Sequence, residues 1–157
     1  MATITKTIGT NSRDYSTISA WEADLSSASI YSNGDDAVGE IYSDSTFTGN
    51  TVTIDGGTSI GGSSGQDLAS VKLTVASGHR HDGTAESGAL LKPTSGSGHN
   101  VGIIAIERDN FTLEWLDISL DSLDSTNTNQ AIRMNSGVGN LTIRNMLIHD
   151  KGGKPGS

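Results

Sequence analysis

Asp109-Asn-Phe-Thr-Leu-Glu-Trp-Leu-Asp-Ile-Ser119 and Gly139-Asn-Leu-Thr-Ile-Arg-Asn-Met-Leu-Ile-His149 align without a gap. In both, Asn is followed by an apolar residue, Thr and an aliphatic residue, and an aliphatic pair two apart comes later. Phe111 and Leu113 answer to Leu141 and Ile143; Leu116 and Ile118 answer to Met146 and Ile148. The apolar positions alternate within each copy, the period of a strand with one buried face. The alternation slips by one between Trp115 and Leu116 and again between Asn145 and Met146. Such a slip flips the pleat, so a bend belongs there and a second short strand follows it. Short strands and bends recurring at a fixed interval predict a solenoid coil.

Upstream segments extend the pattern. Val101-Gly-Ile-Ile-Ala-Ile106 precedes the first copy and Gln130-Ala-Ile-Arg-Met134 the second, so each coil reads as strand, turn, strand, bend, strand and loop. Thr51-Val-Thr-Ile54 and Val71-Lys-Leu-Thr-Val75 share the period of two. Gly/Ser/Asp-rich connectors of unequal length, 56–65 and 77–88, separate them. The expected organisation is an N-terminal strand and capping helix over residues 1–40, coils over 41–150 and a flexible tail over 151–157.

Composition sets limits on function. The chain has 157 residues, enough for one domain, with 33% hydrophobic residues and 20 Gly. That balance suits an all-β protein with many turns and a thin core. The absence of Cys excludes disulfides, cysteine metal sites and a thiol nucleophile. No apolar run approaches the roughly 18 residues of a membrane span. The opening Met1-Ala-Thr-Ile-Thr-Lys-Thr-Ile8 has no apolar core of a secretory signal and reads as the first strand. The formal net charge is −8. No basic stripe offers itself to a phosphate backbone, so neither nucleic acid binding nor membrane insertion is expected.

One helix is expected over residues 16–25. Ile18, Trp21 and Leu25 fall at i, i+3 and i+7, and Ser16 or Thr17 can cap the start. Its predicted job is to cover the first coil, whose strand edges and apolar side chains need a lid.

Thr3-Ile-Thr-Lys-Thr-Ile-Gly9 with Arg13-Asp-Tyr-Ser-Thr-Ile-Ser-Ala-Trp-Glu22 resembles the N-terminal cap of the right-handed parallel β-helix (pectate-lyase-like) superfamily. Asn140-Leu-Thr-Ile-Arg-Asn-Met-Leu-Ile-His149 resembles its coil consensus. Leu73-Thr-Val-Ala-Ser-Gly-His-Arg-His-Asp-Gly-Thr84, taken with the opening, resembles β-helix proteins of tailed phages. The resemblance implies a right-handed parallel β-helix with a short N-terminal capping α-helix. For activity it is weak, because that fold serves lyases, hydrolases, adhesins and virion parts alike.

Chemistry-bearing clusters are sparse. Asp121 and Asp124 lie in a Ser/Asn-rich loop and are the candidate carboxylate pair for glycoside hydrolysis, although loop acids are usually solvated turn formers. His79, His81 and Asp82 form the densest polar cluster and are the candidate ligand-binding residues. Gly83 after Asp82 makes an ordinary turn there, and a third anchored metal ligand is not evident. No catalytic residues, metal or cofactor are therefore expected. Asn110-Phe-Thr112 and Asn140-Leu-Thr142 match the glycosylation acceptor pattern, but their equivalent positions in the repeat make them structural.

The residues after His149 hold no apolar side chain. The last coil is thus expected either to continue in a longer solenoid or to be covered by a partner. The function these observations favour is a non-enzymatic structural or adhesive component of a phage virion, of capsid-decoration, tail-spike or fibre type. It would work in an oligomer with other virion chains or symmetry mates, and surface glycan is a candidate partner. Its expected location is the virion, made in host cytoplasm and released by lysis. The alternatives are a polysaccharide lyase or hydrolase of the β-helix class and a glycan-binding module, either one as an N-terminal fragment of a longer chain.

Overall fold

The computed structural model describes residues 1–49, 52–57, 67–93, 102–120 and 130–149. The strands are β1 (Thr3–Ile8), β2 (Asp36–Ile41), β3 (Val52–Ile54), β4 (Ser70–Val75), β5 (Leu90–Leu91) and β6 (Gly102–Ile106). They continue with β7 (Phe111–Glu114), β8 (Asp117–Ser119), β9 (Gln130–Met134), β10 (Thr142–Arg144) and β11 (Leu147–His149). Among the described residues there is a single α-helix, α1 (Ile18–Ala23), which runs directly into a 3-10 turn at Asp24–Ser26.

Among the described residues all strand pairing is parallel, in three sheets. One sheet has five strands in the order β1-β2-β4-β7-β10; the others have three each, β5-β8-β11 and β3-β6-β9. This corrects the expectation of an all-β, right-handed parallel β-helix solenoid. The strands are two to six residues long, and their ladders close into three separate small sheets instead of one uniform solenoid wall. With α1 packed against β1 and β3, the domain has the character of a small α/β-type domain. The physical reason lies partly in the pleat slips. Trp115 (φ 67°) and Asn145 (φ 53°) adopt left-handed backbone, so the ladder breaks between β7 and β8 and between β10 and β11.

The thirty-residue offset of the sequence repeat is the observed register: Thr112 pairs with Thr142, Leu113 with Ile143 and Ile118 with Ile148. Inward-facing residues of successive strands form rows. Leu73, Leu113 and Ile143 make one, Leu91, Ile118 and Ile148 a second, and Ile54, Ile106 and Met134 a third. Phe111, Leu113, Leu116 and Ile118 are fully buried, as expected. Their counterparts are not: Leu141 and Met146 are half-buried, while Ile143 and Ile148 are exposed. The expectation that both copies lie inside is corrected accordingly, because among the described residues the second copy has strand neighbours on one side only.

The helix is shorter than the sequence suggests. Thr17 caps it, its Oγ1 accepting the Ala20 N–H at 3.1 Å. Ile18, Trp21 and Leu25 are buried, as their spacing requires. Gly39 of β2 leaves the space that the Trp21 ring fills: a Cβ there would lie 2.7 Å from the ring. The indole Nε1 and the Tyr31 hydroxyl are both buried.

Candidate functional site

The strands β9, β10 and β11 each stand last in their sheets, and together they form one end of the molecule. An edge strand presents unpaired N–H and C=O groups, a template for pairing with another chain. The inward rows run out at this end. Ile143 is 39% exposed, Ile148 46% and Met134 58%, whereas the residues immediately beneath them are sealed. Single exposed aliphatics are ordinary, but three at the ends of three adjoining rows are not.

Polar side chains tie this last layer to the one below. Glu114, buried on the outward face of β7, takes an ion pair from Lys72, bonds from Arg144 Nε at 2.6 Å and from Thr74 Oγ1 at 3.1 Å. Burial pushes its pKa up. The bonds from Lys72, Arg144 and Thr74 outweigh that and hold the carboxyl below its usual value. Asp117 on β8 is fully buried. It accepts from the Glu86 backbone N–H at 2.7 Å and bonds His149 Nε2 of β11 at 2.7 Å. At the turn before each repeat, Asn140 Nδ2 donates to Asn110 Oδ1 at 3.0 Å, both residues sitting at φ 52°. Asn tolerates that left-handed conformation better than most residues.

The segment 77–88 buttresses this end. His81 Nε2 bonds the Asn145 carbonyl at 2.9 Å, its ring centroid lies 5.8 Å from that of Trp115, and the Arg80 guanidinium lies 4.8 Å from the Trp115 centroid. His79 turns elsewhere, its Nδ1 within 2.9 Å of Ser43 Oγ and its ring edge-on to Tyr42. Asp82 closes the turn, accepting from Thr84 N–H and Ser87 Oγ, both at 2.9 Å. Backbone donation from Thr84, followed by the Ser87 bond, lowers its pKa. The three candidate residues of this cluster therefore serve three different contacts. Among the described residues no three His, Asp or Glu side chains converge as metal ligands. Asp121 and Asp124 lie outside the described residues.

A groove of about 500 Å³ opens beside the turns that lead into β7 and β10, lined by Asp67, Glu107, Arg108, Asp109, Asn135 and their neighbours. Arg108 is 2% exposed. Its Nε donates to the Asp109 carbonyl at 3.0 Å and Nη1 to the Gly56 carbonyl at 2.8 Å. Burial pulls its pKa down to about 10, against the opposing charges of Asp67, Asp109 and Glu22. Its guanidinium thus holds turns together and is charged at neutral pH.

Sequence reasoning missed Glu114, Arg144 and the Asp117–His149 pair. The first two were readable: they occupy equivalent places in the repeat, so the register alone sets opposite charges side by side. Asp117 and His149 are offset diagonally and only the folded backbone brings them together. Comparison with known proteins gives no match, whether to a family model, to a curated protein or to a solved structure.

Proposed function

We propose that this chain is a non-enzymatic structural or adhesive component of a phage virion, joined to other chains through the open edges of its three sheets. The observation that carries the assembly is the run-out of the three inward rows at Met134, Ile143 and Ile148. Covering a fully exposed aliphatic side chain stabilises by about 1.5–3 kcal/mol, so these half-exposed residues favour a bound neighbour. Strand edges beside them supply the direction of approach. The virion assignment rests on the likeness of residues 3–9, 13–22 and 73–84 to proteins of tailed phages. Such a protein is made in the host cytoplasm and released by lysis.

Two measurements test the reading. Sedimentation of the full chain over a concentration series, alone and with particle proteins, should show association that Ile143→Asp with Ile148→Asp abolishes. Mass spectrometry of purified particles should find the chain as a stoichiometric component. A chain that stays monomeric in every mixture and is missing from particles would overturn it. Polysaccharide lyase and hydrolase assays should stay at background. Turnover lost on changing Asp82, Asp121 or Asp124 would replace this reading with an enzymatic one.

The groove at Arg108 favours a second reading, a glycan-binding module. Carboxylates and amides such as Asp67, Glu107 and Asn135 suit sugar hydroxyls. Glycan-array binding lost on Asn135→Ala would support it.

A further inference from the structure

We infer that the open edge at β10 takes an extended acidic strand from a different protein chain, one with the pattern Asn, apolar, any, apolar, Asp/Glu. This deepens the reading of that end as an interface and rests on it.

Charge is the first support. The chain carries a formal net charge of −8, yet residues 130–149 hold Arg133, Arg144 and His149 and not one carboxylate. The outermost layer of an acidic protein is therefore basic, which selects partners of the opposite sign.

The outward row on the five-stranded sheet is the second. Glu114 is sandwiched between Lys72 on β4 and Arg144 on β10. Arg144 stands opposite Glu114 in register, whereas Lys72, whose own partner is Thr112, reaches Glu114 diagonally; the outward charges stop on a cation. The Arg144 side chain is 59% exposed and meets its carboxylate through Nε. The remaining guanidinium N–H groups suit a second carboxylate, placed as Glu114 is placed on the inner side.

The third support is the turn. Asn140 spends its amide N–H on Asn110 Oδ1, and its own Oδ1 is an acceptor for the amide of a further Asn. Ile143 meets Leu113 below and calls for an aliphatic residue above. The strand already paired with β10 on its inner side, Asn110-Phe-Thr-Leu-Glu114, satisfies all of these demands in register. An outer strand of the same pattern repeats them.

A second copy of this chain fits poorly. Two β10 edges meeting about a two-fold axis run antiparallel, and centred on Ile143 they would set Arg144 against Thr142, with no carboxylate for the guanidinium. Head-to-tail stacking would bring up β1, Thr3-Ile-Thr-Lys-Thr-Ile8, which carries a lysine and no carboxylate. The end of β1 is moreover already covered: Asp14 accepts the Thr7 N–H at 2.8 Å and Tyr15 N–H donates to the Thr7 carbonyl at 3.0 Å.

The test uses the full chain and a labelled, end-capped peptide with the sequence of residues 109–119, read by fluorescence anisotropy. A matched peptide carries Arg in place of the glutamate equivalent to Glu114. The acidic peptide should bind at least tenfold tighter than the basic one, and more weakly as salt rises. Arg144→Glu in the protein should reverse the preference, and Arg144→Gln should abolish it. Circular dichroism confirms that each variant is folded, and amide exchange should slow at residues 142–144 on binding. Equal affinities, no binding by either peptide, or a self-associated chain whose edge excludes both peptides would overturn the inference. If association lost in Ile143→Asp persists in Arg144→Gln, the edge remains an interface and only the acidic strand is refuted. If Ile143→Asp changes nothing, the interface reading falls as well.

Discussion

The two ends of the molecule close in opposite ways. At the N-terminal end, carboxylates and a helix use up the exposed backbone. Asp35 accepts the Ala2 N–H at 2.7 Å and the Ser32 N–H at 2.9 Å; Asp44 accepts from Thr10 N–H at 2.9 Å and from Arg13 Nε at 3.0 Å. Glu22 of α1 reaches over to the Gly56 N–H at 2.7 Å. Trp21, Ile18 and Leu25 cover the first apolar rows so completely that none is more than 2% exposed. At the other end Arg144 replaces the carboxylates and nothing replaces the helix among the described residues. Among the described residues, edge protection is thus a device used at one end and left out at the other. That asymmetry, rather than any polar cluster, carries the functional reading.

Trp21→Ala is the substitution that breaks the comparison hardest. Emptying a sealed site of that size should cost about 3–5 kcal/mol in urea unfolding. A loss under about 1 kcal/mol would mean the lid is not what stabilises the N-terminal end. Gly39→Ala should follow, at about 1–3 kcal/mol, because its Cβ overlaps the Trp21 ring. Pairing it with Trp21→Leu should recover part of the loss.

Glu114→Gln probes the layer beneath the open end and should cost on the order of 1–2 kcal/mol at pH 7. The sign with pH follows from the lowered pKa. The stabilisation is fully present above the unfolded value of roughly 4.3 and is lost as pH falls through the folded value. Wild type and Glu114→Gln should therefore converge in acid; a gap unchanged at pH 3 would show that the carboxylate's charge is irrelevant. The smallest expected effect is at the open end itself. Ile143→Asp and Ile148→Asp should shift the isolated chain by about 0.5 kcal/mol or less, as exposed sites do, while abolishing association. A large loss in the isolated chain would show that these side chains already have a cover.

Much of the local architecture was legible beforehand. Alternation along 109–119 and 139–149 gave the strands, the slip at Trp115 and Asn145 gave the bends, and the gapless alignment gave the register of β7 on β10 and β8 on β11. The trio Ile18, Trp21 and Leu25 located the helix, though not its length. Less could be read of the sites. The proximity of His79, His81 and Asp82 in sequence suggested one cluster, yet each turns to a different partner. Arg108 is buried because the turns at Gly56 and Leu68 close over it, a contact between segments far apart in the chain.

The sequence by itself determined the strands and bends of 109–119 and 139–149 and the place of the helix, because these follow from periodicity over a few residues, and the register of β7 on β10 and β8 on β11, because an internal repeat copies the same pattern in the same phase; β2 and β5 were not read in it. Only the tertiary structure decided that the strands gather into three small parallel sheets. It alone decided that Leu113 is sealed while its counterpart Ile143 is wet, and that Asp117 meets His149. Burial depends on how many layers lie on either side of a residue, and two copies of one motif carry no record of which of them is outermost.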